Sequence, residues 1–92
     1  MENINEFFKN KYPSNLSAES ELKIFRTAEM LYKRHGKSLL KKPEIAQEIG
    51  ISQSSIDRLR RSGELKYKRI GGQIFFTLFE VSYFIEEVCD GI

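Results

Sequence analysis

The sequence holds one cysteine, Cys89, two prolines, no tryptophan and a single histidine, His35, in 92 residues. A lone thiol closes no intramolecular disulfide, and neither the thiol nor the imidazole has a companion with which to hold a metal. No apolar run reaches the 18 or more residues that a membrane crossing needs, and no basic-then-apolar leader opens the chain. The expectation is a soluble, cytoplasmic chain with no membrane contact and no cofactor. Catalysis is the poorest reading. No Ser/His/Asp set and no metal-spaced Cys or His is present, Glu86 and Glu87 are neighbours that diverge on a helix, and the spacing of a phosphate-cradling P-loop is missing.

What the chain does hold is 40% hydrophobic residues, including seven Phe and four Tyr, beside 30% charged residues. At this length that is one small core under a solvated skin, and two independent cores are excluded. Charge is unevenly spread. Residues 1–36 carry six Lys/Arg against five Asp/Glu, residues 37–72 nine against four, and residues 73–92 none against four. A basic middle third points to a polyanionic partner, although a solvated charged surface accounts for the same asymmetry.

Ile4, Phe7 and Phe8 fit one face of a short helix, and Tyr12-Pro13-Ser14-Asn15 is a turn signal. From Ser17, an N-cap, to His35 the spacing predicts one helix ended by Gly36, with Leu22, Phe25, Ala28 or Glu29, Leu31 and Tyr32 as its apolar side. Its basic last turn suits the helix dipole, and His35 is expected to be exposed or capping.

Between Lys42 and Arg61 the spacing predicts helix, tight turn, helix. Pro43 suits a first turn, Gly50 supplies a left-handed stop, and Ser52 caps the second helix. Ile45, Ile49, Ile51, Ile56 and Leu59 form the shared core, and the small Ala46 lets the helices approach. Ser52, Gln53, Ser54, Asp57, Arg58 and Arg61 occupy the other face of the second helix, a face that either reads DNA or is merely solvated. Lys66 to Ile70 alternates polar and apolar, Gly71-Gly72 is a two-residue hairpin signal, and Gln73 to Phe76 is the return strand. That hairpin brings Lys66, Lys68 and Arg69 towards the second helix. Thr77 to Glu80 reads as a capping box opening a last helix with Leu78, Val81, Phe84, Ile85 and Val88 inward. Its acidic residues, Glu80, Glu86, Glu87 and Asp90, are expected on a face turned from phosphate.

The run from Leu39 to Glu87, with Ala46, Gly50, Ser52, Arg61-Ser62-Gly63-Glu64-Leu65 and Arg69-Ile70-Gly71-Gly72, resembles the excisionase-like winged helix-turn-helix domains related to the MerR regulators. The resemblance covers about half of the chain. It implies a mostly α fold with a small β-hairpin, a second helix that enters the major groove and a wing beside it. Carried over, Gln53, Ser54, Asp57 and Arg58 face the groove and Lys68, Arg69 and Gly71 are wing contacts. Two departures stand out: Lys42 takes the place of the usual Ser or Thr cap, which either weakens the first helix start or frees Lys42 for a phosphate, and Gln73 stands where Arg is frequent, which trims the charge of the wing. The chain then divides into an N-terminal helical extension, 1–36, and a winged helix-turn-helix domain, 37–92.

The function expected is sequence-specific binding of double-stranded DNA, as an excisionase-like recombination directionality factor or a small transcriptional regulator. A homodimer or tandem assembly, and a recombinase or polymerase subunit held by the N-terminal extension, are the further partners this reading allows. The competing reading is a protein-interaction module that keeps the winged-helix shape without a DNA role.

Overall fold

A computed structural model describes residues 16–88. Ile4, Phe7 and Phe8, the turn around Pro13, Cys89 and Asp90 lie outside the described residues. The first helix, α1, runs Ala18–His35. Ser17 starts it by accepting a hydrogen bond from the Ser20 amide at 3.0 Å, and Gly36, at φ 71°, ends it with its amide on the Tyr32 carbonyl.

The buried side of α1 differs from the expected one by a rotation of about one residue. Glu21, Ile24, Ala28 and Leu31 point inward, whereas Leu22, Phe25 and Tyr32 stay 47, 40 and 52% exposed. Two adjacent stripes of this helix are apolar, so periodicity alone did not choose between them. Packing does: the stripe centred on the small Ala28 lets α1 close on the last helix, and one centred on Phe25 and Tyr32 would hold the two apart. His35 is likewise neither exposed nor a cap. Its Nε2 lies 2.7 Å from Glu48 Oε1, and Arg34 donates to the same carboxylate, so the end of α1 is tied to the next helix.

A strand of two residues, β1 (Leu39–Leu40), follows, too short to leave a period-two signal. Helix α2 spans Lys42–Ile49. Its cap is Lys41 rather than Lys42, and the start is secured from inside the helix, because Glu44 accepts the Lys41 amide at 2.8 Å while pairing with Lys37 at 2.7 Å. After Gly50, at φ 84°, helix α3 runs Gln53–Ser62 and stops at Gly63, also at φ 84°. Strands β2 (Lys68–Ile70) and β3 (Gln73–Thr77) form the wing, joined by Gly71 and Gly72 at φ 57° and 81°, the two left-handed residues such a hairpin needs. The sheet is antiparallel with order β1-β3-β2, so it has three strands where a two-stranded hairpin was expected.

Thr77 caps α4 (Leu78–Tyr83) by accepting the Glu80 amide at 3.1 Å, and the chain continues as a π-helical turn, Phe84–Val88. Helix α1 packs chiefly on α4 and this turn, α3 on α2. One core joins them: Ala28 and Leu31 of α1 meet Leu40, Ile45, Ile56, Leu65, Phe76 and Val81, with Ile49, Ile51 and Leu59 half-buried against it. The acidic face expected on the last helix is smaller than anticipated. Glu80 is buried, and Glu86 accepts from Thr27 of α1 at 3.0 Å, which leaves Glu87 as its exposed carboxylate among the described residues.

Gly50 has no atom within 4 Å of the place a Cβ would occupy, so its constraint is the backbone angle and not space. Ala46, only 8% exposed, is constrained by space. Gly50→Val should therefore cost about 1 to 3 kcal/mol through strain at a positive φ, and Ala46→Leu a similar amount through overpacking. Each kcal/mol lowers Tm by about 4 to 8 °C in a domain of this size, and thermal melts followed by circular dichroism check both.

Candidate nucleic-acid interface

Helix α3 is Gln-Ser-Ser-Ile-Asp-Arg-Leu-Arg-Arg-Ser, with two apolar residues in ten. Ile56 is fully buried and Leu59 half-buried, and together they set the rotation of the helix. With those two inward, 100° per residue places Ser54, Arg58 and Arg61 along the opposite ridge, and all three are exposed. Gln53 and Ser52, also exposed, stand at the N-terminal end, where Ser52 Oγ is committed to the Ser55 amide at 3.1 Å. Ser52 is thus a cap first, and it brings the helix start and its amide groups to the surface.

Asp57 is placed differently from Arg58. Its Oδ2 lies 3.0 Å from Lys42 Nζ and its Oδ1 3.5 Å from Arg60, so the carboxylate sits between the first turn of α2 and the next turn of its own helix. Lys42 is drawn inward by the same pair. Arg60, absent from the sequence candidates, stacks over Tyr67 at 5.0 Å from the ring centroid, with its Nε buried and unpartnered. Lys42, Asp57, Arg60 and Tyr67 therefore form one connected set that links α2, α3 and the approach to the wing. The Asp57 to Arg60 spacing of three residues was a visible signal for half of it; the Tyr67 contact spans a turn and was not.

In the wing, every residue of β2 is exposed. Lys68 lies across from Phe75, Arg69 from Ile74 and Ile70 from Gln73, so Lys68 and Arg69 point to opposite sides of the ribbon. Lys66 is exposed but precedes the strand instead of belonging to it. Gly71 is at the tip. The structure thus brings Ser54, Arg58 and Arg61 onto one ridge and exposes Lys66, Lys68, Arg69 and Gly71 beside it in sequence, while it pairs Lys42 with Asp57. Aromatic Phe76 and Phe84 are buried and Phe75, Phe79 and Tyr83 half-buried, in keeping with a packing role for them. No cluster of His, Cys, Asp or Glu able to hold a metal, and no helix long and apolar enough to cross a membrane, occurs among the described residues.

A helix-turn-helix with an exposed polar second helix, followed by an antiparallel wing, defines a winged helix-turn-helix protein that binds double-stranded DNA. The family model described as Helix-turn-helix domain matches residues 39–88, more than half of the chain, and the chain belongs to that excisionase-like family. No curated protein and no solved structure matched it.

The Lys42 ammonium, hydrogen-bonded to Asp57, holds the Asp57 carboxyl below the usual carboxylate range, with Arg60 adding to the effect. Unfolding returns the carboxyl to its ordinary, higher pKa, so in acid the unfolded chain binds more protons. The stability this pair contributes is present above the ordinary Asp value and is lost as pH falls through the folded value. Asp57→Asn should flatten the acid limb of Tm against pH between about pH 5 and pH 2, relative to the parent. Parallel curves for the two proteins would show that the pair makes no contribution.

Proposed function

We propose that this protein binds specific double-stranded DNA sites with α3 in the major groove and the β2-β3 wing against the adjacent backbone, as an excisionase-like recombination directionality factor or a small transcriptional regulator. The observation that carries the reading is the ridge of Ser54, Arg58 and Arg61 on a capped helix whose other side is anchored by Ile56. Arg58 is the base reader. Its guanidinium reaches O6 and N7 of a guanine bidentately, with Ser54 and Gln53 able to donate or accept at neighbouring bases. Lys66, Lys68 and Arg69, with the slim tip at Gly71, supply phosphate contacts that fix register without reading sequence.

Asp57 acts chiefly by position in this scheme, because its two oxygens face Lys42 and Arg60. A base contact by Asp57 requires that pair to open. Residues 37–92 form the DNA-binding unit, and α1 completes its core. Between the two biological roles, a bend in the bound site and cooperative filling of adjacent sites favour the recombination factor; unbent occupancy of a lone site favours the regulator.

Two measurements test the reading. Three to four phosphate contacts, from Lys66, Lys68 and Arg69 with Arg61 of the exposed ridge, give a slope of about −2.7 to −3.6 in log K against log salt, at roughly −0.9 per contact. Lys68→Ala with Arg69→Ala should make it shallower by up to about two and weaken all sequences alike. A slope near zero in fluorescence anisotropy titrations would remove the DNA reading. Arg58→Ala is expected to cost about 1 to 3 kcal/mol on the best site and little on random duplex. Equal losses on both would reassign Arg58 to the backbone.

A further inference from the structure

Four of the six large apolar side chains that remain well exposed in the described residues lie on α1: Leu22, Phe25, Met30 and Tyr32. Leu22, Phe25, Glu29 and Tyr32 follow the three-four spacing of a coiled-coil seam, with Glu29 as its one charged position. Beside the seam runs a groove of about 200 Å³ lined by Phe25, Ala28, Glu29, Tyr32, Leu78 and Phe79, open to an incoming side chain. The inner side of α1 is already spent on α4 and the π-helical turn, and α3 packs on α2 instead, so this seam belongs to a different surface from the Ser54, Arg58 and Arg61 ridge.

We infer that the outer seam of α1 is a self-association surface, occupied by α1 of a second copy of this chain in antiparallel orientation. Charge selects the occupant and its direction. Arg26 flanks the seam next to Glu29, both are exposed, and neither makes an ion pair or hydrogen bond among the described residues. Among the other exposed charged residues of the helix, Lys23 pairs with Glu19 and Arg34 with Glu48, while Lys33, exposed and without an ion pair among the described residues, lies beyond Tyr32 at the end of the seam. An antiparallel pair centred near residue 27 opposes Leu22 to Tyr32 and Phe25 to Glu29 of the other copy. It also sets each Arg26 beside the other copy's Glu29, twice by symmetry. The surface is self-complementary: the one charge that would spoil an apolar seam meets a cation carried by the same sequence. A two-fold pair of this kind presents two copies of α3, which is what a paired DNA half-site requires.

Sedimentation equilibrium of the full chain, without DNA, tests the inference separately from the DNA reading. The mass should rise from 10.8 kDa towards twice that value as concentration increases to about 1 mM. Phe25→Lys should hold it at the monomer value with helix content unchanged by circular dichroism, since Phe25 is on the outside. Arg26→Glu and Glu29→Arg should each weaken association roughly tenfold, by replacing two attractive pairs with two repulsive ones, and an equimolar mixture of the two variants should recover it. A monomer at every concentration would overturn the inference, with the seam then left to another occupant such as residues 1–15 of the same chain. So would a dimer indifferent to Phe25→Lys, or a mixture no tighter than either variant alone.

Discussion

The surface we propose for DNA is carried by a ten-residue helix with a single fully buried side chain, Ile56. Such a helix is far below the length at which propensity holds it in water, so its position rests on packing from one side and on what happens at its ends. Ile56 seats it on a core that includes Ile45, Leu65 and Phe76, contributed by the preceding helix, the following loop and the wing. Ser52 and Gly63 close its termini. The left-handed Gly50 fixes the angle at which it leaves α2, with the Gly50 and Ile51 amides both on the Ala46 carbonyl. Disturbing any of these moves Arg58 before it alters any contact that Arg58 makes.

The charged network around Asp57 has a complementary job. Apolar packing sets depth and rotation but is tolerant of sliding, whereas a carboxylate held by Lys42 at 3.0 Å and followed by Arg60 over Tyr67 is directional. It runs from the start of α2 to the approach to β2, which ties the helix proposed to read bases to the ribbon proposed to touch phosphates. Because the pair is partly exposed, its worth in stability is modest; its effect is on orientation. The basic residues of this segment therefore fall into two groups, those that hold the unit together, Lys42 and Arg60, and those left outward, Arg58, Arg61, Lys66, Lys68 and Arg69.

Features encoded locally were legible in the sequence. Ser17, Ser52 and Thr77 each cap the helix expected of them, Gly36, Gly50 and Gly63 each end one, and Gly71-Gly72 turns the wing, because each depends on residues within one turn of chain. What depended on distant partners was not. The choice between the Leu22 and Ile24 stripes of α1 is made by α4, dozens of residues away, and β1 exists because Leu40 finds Phe76. The candidate site divides the same way. Arg58 and Arg61 follow from the rotation set by Ile56 and Leu59, while the withdrawal of Lys42 and Asp57 into one pair, and the recruitment of Arg60 and Tyr67, arise from tertiary contact.

The central claim is that α3 lies in the major groove with Arg58 on a guanine edge. Methylation interference on a site recovered by selection from a random duplex pool tests it directly, because methylation of guanine N7 alters only the major-groove edge and that of adenine N3 only the minor-groove edge. The account predicts loss of binding when one or two guanines of the site carry N7-methyl groups, with adenine N3 methylation felt, if at all, beside the wing. Binding that tolerates N7 methylation at every guanine of the site, and fails on adenine N3 methylation alone, would contradict it.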